Sequence, residues 1–269
     1  MSSLVSVIFT VYYKTDWGLF DKSLNSIFVQ RDKINDIIIV CDGYVSSELY
    51  EVVSKYKDYV IIKIISYDVN RGPGYARDFG IRKSDSKYVA IMDSDDISKH
   101  DRIETQLEYM ESNESISVCG GLIEEIYNDG NVKVRNVPVD DCEIRHVIKT
   151  KSPINNVTAF IRKDDYIKVG GYPYTRSSED YCLWGRFIAN NKKLHNINKV
   201  MVTVTFDSDA IYRRSGWMHF KNDYITQRTL FESRIIGLNR FIINLFKYFS
   251  FRFLPKRFKL FLYDKVLRK

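Results

Sequence analysis

The most informative stretch for the fold of this chain is Tyr88-Val89-Ala90-Ile91-Met92-Asp93-Ser94-Asp95-Asp96. Its first five residues form the continuous apolar run that is typical of a strand buried on both faces. Three carboxylates follow, so we expect them at the carboxyl end of that strand, where open α/β sheets bind ligands. Clustered carboxylates repel one another, and a hard divalent cation relieves that repulsion. The alternative is a solvated acidic turn in which Asp96 or Ser98 caps the next helix.

The segments before this stretch alternate between strands and helices. Further buried strands are predicted from apolar, β-branched runs at residues 4–11, 37–40 and 60–65. Helices are predicted between the strands, at residues 20–28, 47–57 and 73–83. Pro73 suits the first position of the last of these helices. The alternation predicts a doubly wound α/β fold.

The second half of the chain has a less regular pattern. Strands are predicted at residues 116–127, 132–135, 156–161 and 194–205. Helices are predicted at residues 98–112, 177–189 and 216–235. Gly170-Gly171-Tyr172-Pro173 is predicted to be a loop. This half therefore mixes strands and helices instead of continuing the alternation.

Cysteine usage and the amino terminus both indicate a protein of the reducing cytosol. The four cysteines, Cys41, Cys119, Cys142 and Cys182, have no paired spacing and indicate neither a zinc site nor a disulfide framework. The first residues lack the charged and apolar regions of a signal peptide. No apolar run approaches the roughly 20 residues that a spanning helix needs. We expect a chain that is neither secreted nor membrane-spanning.

The net charge of +7 lies in the carboxyl-terminal segment. Residues 240–269 contain nine Lys or Arg and one acidic residue, a net charge of +8, and the rest of the chain carries −1. The body of the protein is therefore not a nucleic-acid-binding domain, and no nucleic-acid partner is expected.

The same carboxyl-terminal segment is rich in aromatic residues. Its apolar residues alternate with Lys and Arg, at Phe241, Ile242, Leu245, Phe246, Phe249, Phe253, Phe258, Phe261 and Leu262. This pattern is typical of an amphipathic helical tail that lies on an anionic membrane surface. The alternative is a helix that packs its aromatic side on the domain and leaves its charges in water.

Five short motifs occur in order, as VSVIFTVY (5–12), IVCDG (39–43), NRGPGYARD (70–78), DSDD (93–96) and EDY (179–181). Together they resemble the family 2 glycosyltransferases, and more narrowly the bacterial enzymes that extend lipid-linked repeat units of O-antigen, capsule or exopolysaccharide. The resemblance covers residues 4–235. It implies a GT-A (Rossmann-like) fold, with a mixed, mostly parallel sheet flanked by helices. It also implies a nucleotide-binding half at 1–97, an acceptor-binding half at 98–235 and a membrane-associating tail at 236–269.

The resemblance implies a nucleotide site built from three motifs. Tyr12 and Asp42 fall where the family holds the uracil, with Thr10 in the first loop in place of a usual proline. Arg71, Gly72 and Arg77 fall on the diphosphate and ribose side. Glycine permits a close backbone approach there, and arginine supplies charge-assisted hydrogen bonds. The implied donor is a UDP-sugar.

The resemblance also implies a divalent metal, Mn²⁺ or Mg²⁺. Asp93 is assigned mainly to the ribose and Asp95 to the ion that bridges the two phosphates, with Ser94 between them. His219 is a candidate to complete the metal shell, although a lone histidine in a helix also fits a structural role. Arg213 and Arg214 fit either a contact with the leaving diphosphate or a solvated turn.

The acidic pair Glu179-Asp180 resembles the one that precedes the acceptor-site helix in this family. An inverting transfer needs a carboxylate that takes the proton of the acceptor hydroxyl. Asp180 is the expected base, and Glu179 is the alternative or a partner that orients the acceptor. Trp184 offers either a sugar-stacking face or a core side chain.

The resemblance implies an inverting glycosyltransferase, peripheral on the inner face of the cell membrane. It would move a hexose or N-acetylhexosamine from a UDP-sugar to a polyprenyl-diphosphate-linked sugar, giving a β linkage. An aspartyl phosphatase would carry its paired acids after the first strand, and here they follow the fourth. The non-enzymatic alternative is a peripheral membrane-binding module with a nucleotide-sugar-like fold, which would lose its function on removal of residues 240–269.

Overall fold

The computed structural model describes residues 4–56, 61–127, 129–206 and 215–254. The strands are β1 Val5–Val11, β2 Asp36–Asp42, β3 Ile62–Tyr67, β4 Tyr88–Met92, β5 Ile97–Ser98, β6 Ile116–Tyr127, β7 Val132–Arg135, β8 Phe160–Arg162 and β9 Lys193–Phe206. The helices are α1 Trp17–Phe28, α2 Glu48–Ser54, α3 Pro73–Lys83, α4 Arg102–Ser112, α5 Asp141–Val147, α6 Lys163–Lys168, α7 Glu179–Ala189, α8 Trp217–Glu232 and α9 Leu238–Phe253.

The strands form one mixed sheet in the order β3-β2-β1-β4-β8-β6-β9-β5, with β7 paired to β6. The first four strands of this order are parallel, and β8 joins them to the second half by antiparallel pairing with β4 and β6. β6 and β9 then run parallel. The predicted α/β fold, with helices flanking a mixed sheet, is confirmed.

The core lies on both faces of this sheet. Every residue of β4 is buried, as its continuous apolar run predicts. On one face α1 contributes Phe20, Leu24 and Ile27, the predicted apolar side of that helix. On the other face α3 lies close to the sheet because it carries Gly80, where a Cβ would lie 2.8 Å from both Ile8 and Val40. The close approach fixes the position of α3 over the site.

Two elements begin four residues later than predicted. The helix predicted from Ser98 begins at Arg102, because Ile97 and Ser98 form the short strand β5 against β9. Neither Asp96 nor Ser98 is therefore an N-cap, and Asp101 occupies that position. The strand predicted at 156–161 begins only at Phe160, after a 3₁₀ turn at Asn156–Thr158.

The carboxyl-terminal helix α9 packs on α8. Asn244 is 2% exposed and donates from Nδ2 to Gln227 Oε1 at 2.7 Å. The ring centroids of Phe249 and Phe220 lie 5.3 Å apart. Another side of α9 leaves an apolar stripe exposed, at Leu238, Ile242, Ile243 and Phe246, and the partly exposed Phe249 and Phe253 lie at its border with α8. None of the described helices is long and apolar enough to cross a bilayer.

Candidate active site

The acidic cluster follows directly on β4, at the carboxyl edge of the parallel strands. The Asp93 carbonyl accepts a hydrogen bond from Ser23 Oγ of α1 at 2.9 Å, which anchors the turn. Asp96 is only 6% exposed. Burial raises its pKa well above the ordinary value, Asp93 and Asp95 raise it further, and Arg102 opposes them. The Asp96 carboxyl therefore holds its proton more tightly than a carboxyl in water does.

Arg77 of α3 connects this cluster to the acidic pair of α7. Its guanidinium donates from Nη2 to Asp93 Oδ1 at 2.8 Å and from Nη1 to Glu179 Oε1 at 2.7 Å. Arg77 is 7% exposed and Glu179 is 8% exposed. Burial raises the pKa of Glu179, and the Arg77 charge opposes that rise. A buried arginine thus holds the acid that follows β4 and the first acid of α7 in one arrangement.

Asp42 organises the loop before α3. Its Oδ1 accepts from the Arg71 amide at 2.7 Å and its Oδ2 from the Gly72 amide at 3.0 Å. The Tyr67 hydroxyl donates to Oδ1 at 2.9 Å. Gly72 has a φ of +90°, which favours glycine at this position. The structure therefore brings Asp42, Arg71 and Gly72 together.

Arg176, from the loop before α7, holds the same α3 loop from the other side. It donates to the side-chain and backbone oxygens of Asn70 at 3.0 and 3.1 Å. Arg176 is not among the predicted site residues, because its partner lies 106 residues away along the chain and no local motif links the two.

Thr10 and Tyr12 lie at the same sheet edge as Asp42. Thr10 pairs with Val40 in the parallel register of β1 and β2, so both strands end side by side. Tyr12 is 40% exposed, and its amide donates to Thr15 Oγ1 at 3.0 Å. Tyr12 is therefore partly exposed at this edge, with its ring packed edge-on against Tyr13.

The two acids at the start of α7 differ in their surroundings. Glu179 is buried against Arg77, whereas Asp180 is half-buried and receives no hydrogen bond or ion pair from the described residues. Trp184 is fully buried in the core. The sugar-stacking interpretation of Trp184 was wrong, because its position on α7 faces the sheet.

The metal candidates do not form a closed cage. Within residues 4–56, 61–127, 129–206 and 215–254, no group of three or more His, Cys, Asp and Glu side chains is placed to hold an ion. His219 Nδ1 lies 3.2 Å from Ser177 Oγ, two residues before the acidic pair. Its assignment as a metal ligand stays a prediction. Arg213 and Arg214 lie outside the described residues.

Tyr172 is a central residue that the sequence placed only in a loop. It is 1% exposed, and its hydroxyl donates to Asn156 Oδ1 at 2.7 Å. The Arg77 guanidinium lies over its ring, 5.9 Å from the centroid. Its amide donates to the Tyr166 hydroxyl, which in turn donates to the buried Asp78. This chain of contacts fixes the floor of the site beneath Arg77.

We expect Gly171→Ala to destabilise this floor. Gly171 has a φ of +65°, and a Cβ there would lie 2.5 Å from Asp78 Oδ1. Backbone strain and overpacking together should lower the free energy of unfolding by about 2–4 kcal/mol. The free energy of unfolding is measured by urea titration. Gly130→Ala is the matched control, since Gly130 has a φ of +81° with nothing within 4 Å. Equal losses in the two variants would contradict the packing argument.

The model of glycosyl transferase family 2 matches residues 6–171. The chain is 30% identical over 266 residues to the Escherichia coli UDP-Gal:alpha-D-GlcNAc-diphosphoundecaprenol beta-1,3-galactosyltransferase, covering 98% of this chain and 96% of the relative. It is 28% identical over 262 residues to the amylovoran biosynthesis glycosyltransferase AmsE of Erwinia amylovora, covering 97% and 98%.

Two solved structures share the architecture. TarS of S. aureus has a TM-score of 0.68 at 16% identity, and the match covers 94% of this chain and 44% of that longer one. The mannosyltransferase PcManGT of Pyrobaculum calidifontis, solved with GDP-Man and Mn²⁺, has a TM-score of 0.62 at 13% identity, covering 98% and 74%. This likeness confirms the predicted GT-A fold. With the family model matching residues 6–171 and whole-length relatives of the same kind, the chain belongs to glycosyl transferase family 2.

Proposed function

We propose that this protein is an inverting, metal-dependent transferase that moves galactose or a related hexose or N-acetylhexosamine from a UDP-sugar to polyprenyl-diphosphate-linked GlcNAc. The observation that carries the proposal is the whole-length similarity to the E. coli β-1,3-galactosyltransferase. The convergence of Asp93, Arg77, Glu179 and Asp180 supports it. The product would be a β linkage within a repeat unit of a bacterial surface polysaccharide.

Asp180 is the proposed general base. Its carboxylate receives no bond from the described residues, whereas that of Glu179 is held by Arg77. In a single displacement the acceptor oxygen bonds to the anomeric carbon as the bond from that carbon to the UDP phosphate oxygen breaks. The acceptor proton passes to Asp180. Glu179, fixed by Arg77, would orient the acceptor beside it.

The acidic turn after β4 fits a divalent cation. Asp93 and Asp95 supply hard oxygen donors at this turn, where burial, together with the charges of these two neighbours, raises the pKa of Asp96. Mg²⁺ and similar ions are commonly held by one or two carboxylates together with substrate phosphates and water. Such an ion, when bound, supplies stabilisation of the negative charge on the departing diphosphate. Asp95 is the proposed principal ligand, with Asp93 shared between the ion and the ribose.

The remaining donor contacts follow the sheet edge. Tyr12 and Asp42, with Thr10 beside them, would hold the uracil, while Arg71, Gly72 and Ser94 would line the path of the ribose and diphosphate. Arg77 would have a structural role in this site, because both of its terminal nitrogens already donate hydrogen bonds to carboxylates. Its proposed contribution to the donor is therefore the placement of Asp93.

The exposed side of α9 is the proposed membrane contact. Three cations of this region, Arg240, Lys247 and Lys151, lie close enough to interact electrostatically. Burial lowers the pKa of Lys247, and the two neighbouring cations lower it further. An anionic surface relieves that repulsion while the apolar residues enter the headgroup region. The basic segment at 255–269 lies outside the described residues.

The decisive test is UDP release from a panel of UDP-sugars, with a short-chain lipid-diphosphate-GlcNAc acceptor. We expect turnover with one principal donor, and loss of that turnover in chelator. Asp95→Asn should raise the Mn²⁺ concentration for half-activation by at least about tenfold. Even the replacement of a residue that only hydrogen-bonds to a metal ligand lowers metal affinity by about 10–100-fold. Asp129→Asn, on an exposed turn, is the matched control.

Two results would count against the proposal in different ways. Folded protein that binds no nucleotide in the presence of Mn²⁺ would remove the donor site and favour the peripheral membrane-binding module. Turnover that is unchanged in chelator would retain the transferase and exclude its metal dependence.

A further inference from the structure

The turn that precedes the catalytic acids is held by the carboxyl-terminal helices. Ser178 has a left-handed backbone with a φ of 59°, a conformation that is costly for a residue with a side chain. Its hydroxyl donates to Asp223 Oδ1 at 2.9 Å, and its carbonyl accepts from Thr226 Oγ1 at 3.2 Å. These bonds stabilise the conformation from which Glu179 and Asp180 start.

Ser177 is held by the same side of α8. Its hydroxyl accepts from Asn222 Nδ2 at 2.9 Å and lies 3.2 Å from His219 Nδ1. The residues of α8 that contact the two serines follow the spacing i, i+3, i+4 and i+7, at 219, 222, 223 and 226. That spacing places them on one face of the helix. One face of α8 therefore contacts the turn that carries the acids.

Asp223 depends in turn on the last turn of α9. Its carboxylate accepts from Arg252 Nε at 2.6 Å and from Arg252 Nη2 at 2.9 Å. The two side chains are 2% and 10% exposed. The Arg252 carbonyl also accepts from the Gly216 amide at 3.2 Å, next to the start of α8. A two-point contact of this kind fixes orientation as well as distance.

We propose that Arg252, Asp223 and Ser178 form a positioning chain that sets the orientation of Asp180 toward the acceptor hydroxyl. The inference rests on the function proposed above. Its consequence is that the carboxyl-terminal helix completes the active site with one side while its other side carries the exposed apolar stripe. Removal of residues 240–269 would therefore damage catalysis even on a water-soluble acceptor.

The kinetic test uses the full chain with Arg252→Gln and Ser178→Ala, and a water-soluble short-chain acceptor without membranes. We expect kcat to fall about tenfold to a hundredfold in each variant, because small misplacements of a reacting group have effects of up to about that size. The KM for the UDP-sugar should stay at the wild-type value. Arg228→Gln is the matched control, since Arg228 pairs with Glu232 at 2.7 Å on the exposed side of α8.

The double variant Arg252→Gln/Ser178→Ala tests whether the two residues act through one chain. Residues that share a network give non-additive effects. We expect the kcat of the double variant to be no lower than the kcat of the less active single variant. A fold-loss of kcat in the double variant equal to the product of the two single fold-losses would overturn the proposal. A wild-type kcat in Arg252→Gln would also overturn it.

Hydrogen exchange separates this proposal from the proposed function. The Cys182 amide donates to the Ser178 carbonyl at 3.1 Å, so its exchange reports on the turn without any substrate. Faster exchange at residues 179–182 in Arg252→Gln than in Arg228→Gln supports the positioning chain, and equal exchange overturns it. A wild type that transfers no sugar would instead refute the proposed function. Arg252→Lys, which keeps the charge but not the two-point contact, replaces Arg252→Gln if the latter does not fold.

Discussion

Asp180→Asn is expected to lower kcat for sugar transfer by about a hundredfold to ten-thousandfold, the usual contribution of a general base. The amide is close in size to the carboxylate but does not accept the acceptor proton. Asp180 receives no bond from the described residues, so its replacement disturbs few contacts. UDP binding, measured by titration in the presence of Mn²⁺, should remain at the wild-type level. The combination of retained binding and lost turnover identifies the proton acceptor.

Two further variants make this result decisive. Asp164→Asn changes an exposed aspartate in the first turn of α6 and should keep full activity. Glu179→Gln tests the alternative base. Because Glu179 is bonded to Arg77, its replacement should affect acceptor binding and stability more than the proton transfer itself. Full activity in Asp180→Asn, together with loss of transfer in Glu179→Gln, would reverse the two roles.

The first half of the fold was predictable from the sequence because its strands are buried on both faces. Such strands give uninterrupted apolar runs, as at Tyr88–Met92, and their order in an alternating pattern leaves few possible topologies. The position of Asp93 and Asp95 at the sheet edge follows from the same reasoning. The strand β5 was missed because two residues carry no periodicity, and its pairing with β9 is a tertiary contact.

The sequence predicts members of the candidate site but not the contacts between them. Short motifs identify Arg77 and Glu179 separately, but nothing local indicates that they are bonded across 102 residues. The same limit explains why Arg252 was assigned to a membrane tail. A helix with aromatic and basic residues satisfies both an interfacial and a packed interpretation, and the structure places one side of α9 on α8 and leaves the other exposed.

Arg77→Met should be the most destabilising substitution in the site. It removes the only bonded cation of the Glu179 carboxylate among the described residues and also releases Asp93. Breaking a buried ion pair from one side costs about 3–5 kcal/mol, because the remaining charge stays buried without compensation. Urea unfolding measures the loss. Arg228→Met on α8 is the control, since Arg228 and its partner Glu232 are 59% and 58% exposed and their pair should contribute about 1 kcal/mol or less.

The pH dependence of the unfolding free energy shows whether Arg77→Met is destabilised by the lost ion pair or only by lost packing. Without Arg77, the pKa of the buried Glu179 rises further above its unfolded value of about 4.3. A carboxyl group with a raised folded pKa destabilises the protein above the unfolded pKa and does so less as the pH falls toward it. The deficit of Arg77→Met should therefore shrink on acidification, and adding Glu179→Gln should recover part of it at neutral pH. A deficit that is constant with pH would mean that Arg77 stabilises the site by packing alone, without an electrostatic link between Asp93 and Glu179.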